Sequence, residues 1–191
     1  SVSLSADGSV VAIGAPMNGD NSEDYKNSGR GHVKIFKNVN NNWTQVGNDI
    51  DGKKINISSG HSVSLSGDGS IVAIGAPMYG YWDSNDEFID ESGLVRIYQN
   101  VNDSWTQIGS DIVGESETES SGDSVSLSAD GSVVAIGAPG NDSNGTDSGL
   151  VRIYQNVNNA WEKIGEDIDG EAAWHNFGRS VSLSSNGSVI A

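Results

Sequence analysis

The chain of 191 residues contains no cysteine, only three prolines and only ten basic residues. Without cysteine there is neither a disulfide bond nor a thiolate metal site. The ten basic residues stand against 26 acidic ones, so the formal net charge is −16 at pH 7 and the surface repels nucleic acid and anionic lipid. We therefore expect no nucleic-acid partner, and we expect no membrane insertion because no apolar run is long enough to cross a bilayer.

The helical period of 3.6 residues is also missing from the apolar segments. Glycine, serine, asparagine and aspartate are abundant instead. This composition is typical of tight turns between short strands, and also of disordered segments. Repeated apolar runs such as VVAI at 133–136 favour an ordered all-β fold, because disordered segments have low hydrophobicity and lack such runs.

One 16-residue stretch recurs almost unchanged along the chain. SVSLSADGSVVAIGAP begins at residue 1, SVSLSGDGSIVAIGAP at 62 and SVSLSADGSVVAIGAP at 124, and a fourth copy, SVSLSSNGSVIA, begins at 180. We therefore divide the chain into repeats at 1–61, 62–123 and 124–179, with the start of a fourth at 180–191. Since the fourth copy breaks off within an apolar run, we expect the sequence to be a window of a longer repeat protein.

Each repeat is predicted to form four short antiparallel strands. SVSLS alternates serine with apolar residues, DGS or NGS supplies a hairpin turn, and VVAIGAP is apolar on both faces. LVRIYQNV and WTQIGSDI supply the third and fourth strands. Such units are typical of β-propeller blades, so we predict about three blades plus the start of a fourth. A β-solenoid is the alternative, but its coils take only roughly 20 to 30 residues.

The motifs of these units resemble the FG-GAP repeat, the blade of the integrin α-subunit propeller and of many microbial and algal surface proteins. GAP recurs at 14–16, 75–77 and 137–139, whereas the dipeptide FG occurs only at 177–178. The resemblance implies an extracellular or cell-surface β-propeller. The calcium-binding variant of the family has an Asp-rich loop between its first two strands, and this chain has only a short turn there, so we expect no calcium in these turns.

The loop after each GAP carries the length variation between repeats and is the predicted place for binding. Its oxygen-bearing side chains alternate as at the start of a calcium loop, but the distal bidentate glutamate is missing. A solvated acidic loop is the alternative interpretation. The candidate calcium ligands are Asp20, Asp24, Asp83, Asn85, Glu87, Asp142, Asn144 and Asp147.

The loop after the second GAP also holds a dense group of aromatic residues. Such residues anchor glycans or protein partners, although they also fold back over their own blade. The candidate contact residues are Tyr79, Tyr81, Trp82 and Phe88. Six Asn-x-Ser/Thr sequons in predicted turns or connections predict a glycoprotein if the source is a secreting eukaryote. They lie at Asn42, Asn56, Asn102, Asn141, Asn144 and Asn186.

No convergent acid, base or nucleophile recurs in the repeats. The three histidines occupy unrelated places, and Asp123 and Arg179 take the position of His61 in the following copies. We therefore expect a non-enzymatic, extracellular structural or adhesive protein that acts by self-assembly and surface display in a fibre or appendage. The alternative is a carbohydrate- or protein-binding propeller module assisted by calcium. The expected partners are further copies of the repeat, with glycans or surface proteins as binding candidates and calcium as the one candidate cofactor.

Overall fold

A computed structural model describes residues 1–18, 29–53, 57–77, 81–82, 88–89 and 92–191, with backbone alone at 81–82 and 88–89. The regular elements of these residues are β-strands grouped into three sheets and one small hairpin. The first sheet contains β1 (Val2–Leu4), β2 (Val10–Ala15), β3 (His32–Val39), β4 (Asn42–Gln45) and β5 (Ile50–Asp51). The second repeat contains β6 (Ser62–Leu65), β7 (Ile71–Ala76), the hairpin β8 (Tyr81–Trp82) and β9 (Phe88–Ile89), β10 (Leu94–Val101), β11 (Ser104–Gln107) and β12 (Ile112–Val113). The third sheet contains β13 (Ser124–Leu127), β14 (Val133–Ala138), β15 (Leu150–Val157), β16 (Ala160–Lys163) and β17 (Ile168–Asp169).

The three large sheets share one topology. In each sheet four antiparallel strands lie side by side in chain order, as in β1-β2-β3-β4, and a fifth short strand also pairs with the third. A fourth unit begins after the third sheet, where Leu183 pairs with Ile190. The prediction of an all-β protein with three blades and the start of a fourth is therefore confirmed. No helix in the described part of the chain is long and apolar enough to cross a membrane.

The last segment of each repeat differs from the prediction, because WTQIGSDI forms two strands and not one. β11 pairs with one end of β10, and β12 pairs with the other end. Between them Gly109 has a φ of 69°, a left-handed conformation that favours glycine and that an extended strand excludes. The chain therefore turns at this glycine before it pairs with β10 again.

The core lies between consecutive sheets, because each sheet is apolar on both faces. We call the face that packs on the following blade the front face, and the opposite one the back face. Successive residues of a strand point to opposite faces, so Val10 and Ala12 of β2 lie on the front while Val11 and Ile13 lie on the back. The first interface joins Val10, Ala12, Val33, Ile35 and Ile50 to Val63, Leu65, Val72, Ile74 and Tyr98. The second joins Ala73, Val95, Ile97, Ile108 and Ile112 to Val125, Leu127, Val134, Ile136 and Tyr154.

Candidate functional site

Serine side chains of the first strands link each blade to the next. A serine Oγ of one blade accepts a hydrogen bond from a leucine N–H of the following blade. The bonds join Ser3 to Leu65, Ser64 to Leu127 and Ser126 to Leu183, at 3.0, 2.9 and 2.9 Å. The alternation in SVSLS therefore determines the contacts of both faces. The serines contact the next blade, and the apolar residues pack on the previous one.

A tryptophan on the fourth strand of the second and third blades closes the same two interfaces. The Nε1–H of Trp105 donates to the carbonyl oxygen of Val46 in the preceding blade at 2.9 Å, and the Nε1–H of Trp161 donates to that of Ile108 at 3.1 Å. Both rings pack against the buried cluster of their interface. Trp43, the equivalent residue of the first blade, is 48% exposed. The indole contact therefore depends on a preceding blade.

Replacing Trp105 with alanine is expected to reduce the free energy of unfolding by about 3 kcal/mol, because the interface loses a packed ring. Trp105→Phe keeps a ring and loses only the hydrogen bond to Val46, so its cost should be about 1 kcal/mol. Urea unfolding of both variants measures the difference. A loss below about 1 kcal/mol for Trp105→Ala would place this ring outside the core.

The back face of the first blade is apolar and uncovered. Leu4 is 57% exposed, whereas Leu65, its equivalent in the second blade, is 7% exposed beneath the first blade. Val2 and Ile13 are exposed in the same way, although their equivalents Val63 and Ile74 are buried. Equivalent side chains are therefore buried in the second and third blades but exposed to solvent in the first blade.

Each hairpin between the first two strands is held together by one carboxylate. Asp7 Oδ1 accepts hydrogen bonds from Ser5 Oγ at 2.7 Å and from the Ser9 N–H at 2.9 Å. Asp68 and Asp130 occupy the same position in the next two turns. In the fourth turn Asn186 Oδ1 accepts the equivalent bonds. These aspartates therefore have a structural role in closing the turn.

The bonds from the Ser9 N–H and the Ser5 hydroxyl lower the pKa of Asp7 from 3.8 to about 2. The pKa of Asp130 is lowered in the same way by Ser128 and Ser132. Burial alone would raise the pKa of Asp68, but bonds from Ser70 and Ser66 outweigh it and lower the pKa. At a pH between the lowered pKa and the ordinary one, these carboxylates are therefore ionised in the fold but largely protonated in the unfolded chain.

We therefore expect stability to fall as the pH drops from about 4 towards about 2, because the unfolded chain then binds more protons. The triple variant Asp7→Asn, Asp68→Asn, Asp130→Asn copies the fourth turn, which keeps its bonds through an asparagine. The urea midpoint of this variant should depend less on pH in that range than the midpoint of the unsubstituted chain. An equal dependence in both proteins would show that the turn carboxylates do not contribute.

A buried ion-pair network ties the segment between the second and third blades to the third blade. Glu119 is fully buried and lies 2.6 Å from the Arg152 guanidinium. It also accepts hydrogen bonds from Ser116 Oγ and Asn141 Nδ2, at 2.9 and 3.1 Å. Burial opposes the charge of Arg152, but the bonds from Glu119 and Asp167 outweigh it and raise the pKa of Arg152. This network is not predictable from local sequence patterns, because Glu119 and Arg152 are 33 residues apart in the chain.

Two candidate calcium ligands of the third loop make structural hydrogen bonds, Asp142 within the loop and Asn144 to the connection after the third sheet. Asp142 Oδ1 accepts a hydrogen bond from the Asp147 N–H at 2.8 Å, and Asn144 Nδ2 donates to the Gly170 carbonyl at 2.9 Å. These bonds give Asp142 and Asn144 a structural role, and calcium binding by this loop stays a prediction. The other candidate ligands lie outside the described residues: Asp20, Asp24, Asp83, Asn85 and Glu87.

The aromatic loop of the second repeat contains a short hairpin. Tyr81 pairs with Ile89, and Trp82 pairs with Phe88. Tyr79 lies outside the described residues. The role of these aromatic residues in glycan or partner contact stays a prediction.

The sequon positions divide into accessible and buried ones. Asn42, Asn102, Asn144 and Asn186 are exposed, whereas Asn56 lies outside the described residues. Asn141 is buried, and its Nδ2 donates to Ser116 Oγ and to Glu119. The prediction of a glycan-bearing surface turn is therefore wrong for Asn141, because the amide nitrogen that would carry a glycan belongs to the buried network.

The histidines lie in three separate environments. His32, Asp49 and Asp51 bring their ligand atoms within 4.8 Å of one another, the one such group in the described part of the chain. We assign no metal to it, because the Lys34 ammonium lies 3.2 Å from Asp49 and already balances that carboxylate. His61 pairs with Asp123 of the next repeat at 3.3 Å. His175 is exposed in the connection that follows the third sheet.

Comparison with known proteins identifies the fold. No protein family and no curated protein matches this sequence. A crystal structure from Bacteroides fragilis, of a protein provisionally described as a 6-phosphogluconolactonase, matches with a TM-score of 0.56 and 14% sequence identity. The match covers 88% of this chain, which in turn spans 38% of the length of that protein. At this identity the likeness shows the fold alone, so the chain consists of β-propeller blades.

Proposed function

We propose that the chain belongs to a non-catalytic, extracellular or cell-surface protein that acts by stacking further blades of the same kind into a ring or a fibre. The observation that carries the proposal is the open back face of the first blade, whose side chains are equivalent to those buried at both described interfaces. The resemblance of the repeats to FG-GAP units supports a cell-surface location. The separate placement of the histidines favours a structural over a catalytic role.

The occupant that fits the open back face is the front face of another blade. At both described interfaces a front face supplies small and β-branched side chains, together with a serine Oγ and a carbonyl acceptor for the tryptophan. Among the described residues the Trp43 indole N–H has no partner. A further blade, from the same polypeptide or from a second copy, would bury Leu4 and Trp43 and supply the missing acceptor.

Charge opposes this association without preventing it. Copies with a formal charge of −16 repel one another, and salt screens the repulsion over about 10 Å at 0.1 M. The apolar contact between two blades is insensitive to such screening. Association of the 191-residue chain should therefore strengthen as ionic strength rises.

Sedimentation of Leu4→Lys tests the proposal, because a lysine on the back face would have to lose its hydration inside the contact. We expect this variant to associate at least about tenfold more weakly than the unsubstituted chain. Val39→Lys is the matched control, since Val101, the residue equivalent to Val39, stays exposed although its blade is covered. Equal association of all three proteins would contradict stacking through the back face.

A further inference from the structure

The two blade interfaces form equivalent grooves beside their fourth strands. One groove has a volume of about 250 Å³ and the other about 340 Å³. Each is bounded by an aspartate and an isoleucine of one blade and by a tyrosine and a tryptophan of the next. These residues are Asp49, Ile50, Tyr98 and Trp105 in the first groove, and Asp111, Ile112, Tyr154 and Trp161 in the second. Repetition at both interfaces shows that the groove is a property of the blade contact.

The tyrosine hydroxyls of these grooves have no hydrogen-bond partner among the described residues. Tyr98 is 8% exposed and Tyr154 is 9% exposed. A buried tyrosine hydroxyl normally has a partner, because removing it from water without one is unfavourable. In the first blade the same strand position holds Phe36, so the strand does not need the hydroxyl. Two such hydroxyls at equivalent positions, each lining a groove, are therefore available to hydrogen-bond a ligand.

The other groups of the groove are held in fixed positions. The indole N–H groups of Trp105 in the first groove and of Trp161 in the second are each bound to the preceding blade, which fixes both rings while part of each stays exposed. In the first groove Gln45 Nε2 donates to Asp49 at 2.8 Å and the Lys34 ammonium lies 3.2 Å from the same carboxylate. In the second groove Arg96 donates to both carboxylate oxygens of Asp111, at 2.9 and 2.7 Å. Burial alone would raise the pKa of Asp111, but the bonds from Arg96 and Gln107 outweigh it, so the pKa is lowered and the carboxylate stays ionised. A ligand thus meets a fixed apolar ring, an acceptor and a hydroxyl.

We propose that each of these grooves binds one sugar ring. A pyranose carries C–H groups that pack on an aromatic ring, and hydroxyls at its edge that donate to a carboxylate and accept from a tyrosine. The volume of about 340 Å³ lies at the lower end of the range of about 300 to 1,000 Å³ for ligand pockets, and that of about 250 Å³ lies just below it, which suits a monosaccharide unit. The inference does not rest on the stacking of further blades, because both grooves lie between described blades.

Saturation-transfer NMR tests the proposal with the methyl glycosides of glucose, galactose, mannose and N-acetylglucosamine, each at about 10 mM. We expect at least one of them to receive saturation from the protein. The double variant Tyr98→Phe, Tyr154→Phe, which copies the first blade at Phe36, should bind that glycoside at least about fivefold more weakly. Each single variant should keep one of the two sites. Thermal unfolding confirms that the variants are folded.

Leu4→Lys separates this proposal from the stacking proposal, since it alters association but should leave glycoside binding unchanged. Three results would overturn the assignment of the grooves: no saturation transfer to any of the four glycosides, transfer that is unaffected by Tyr98→Phe, Tyr154→Phe, or equal transfer to ethylene glycol. The last result would show adventitious binding of an additive only.

Discussion

Replacing Gly75 with alanine is expected to destabilise the protein by at least about 3 kcal/mol, because the added methyl group has no space. A Cβ at this position of β7 would overlap the carbonyl oxygen of Gly122 and the Oγ of Ser62. These two atoms are themselves joined by a hydrogen bond of 2.8 Å. Gly122 leads into the third blade, so the overlap can be relieved only by opening the contact between the blades.

The matched control for Gly75→Ala is Gly67→Ala, which lies in the turn between β6 and β7. The equivalent residues of the first and third blades are Ala6 and Ala129, so the position accepts a methyl group. A Cβ on Gly67 would lie 3.2 Å from Ala129, and we expect a change of less than about 1 kcal/mol. Urea unfolding compares the two variants. Equal stabilities would contradict the close approach of the blades at Gly75.

Replacing Glu119 with alanine is expected to reduce the free energy of unfolding by about 3 to 5 kcal/mol. The buried Arg152 guanidinium would then lose one of its carboxylate partners. Glu119 also accepts hydrogen bonds from the Glu115 N–H, Ser116 and Asn141. The variant therefore leaves several buried donors without an acceptor. The connection between the second and third blades should open first, and its amide protons should exchange faster.

Glu115→Ala is the matched control for Glu119→Ala. The Glu115 carboxylate lies 3.6 Å from Arg152 but is half exposed, so its removal should cost less than about 1 kcal/mol. Chemical denaturation of the two variants tests burial directly, since both lose one carboxylate near the same arginine. A cost for Glu119→Ala as small as that for Glu115→Ala would show that the network is open to water.

The fold was accessible from the sequence because the repeats provide their own alignment. Valine and leucine alternate with serine in SVSLS, and this period of two already separates the front and back faces. The division of WTQIGSDI was missed because it depends on a single backbone angle at Gly109. Its glycine could have suggested a bend, since glycine within a strand often marks one.

The buried sites were less accessible from the sequence because they depend on residues far apart in the chain. Glu119 lies in an acidic, serine-rich connection that resembles a solvated segment, and its burial is explained by its partners in the fold, above all Arg152. The sequon at Asn141 predicts a glycan acceptor, but a sequon contains no information about burial, and Asn141 is buried. The grooves at Tyr98 and Tyr154 exist only where two blades meet. Strand patterns alone therefore do not predict them.

Electron microscopy of the native protein tests the central claim, that further blades cover the open back face, most directly. We predict either closed rings with more blades than the three described here, or filaments in which blades repeat without interruption. In a ring the side chains equivalent to Leu4 are buried on every blade, and in a filament they are buried on every blade except a terminal one. Isolated particles of 19.9 kDa that stay monomeric at high ionic strength, with the back face of the first blade in solvent, would contradict the account.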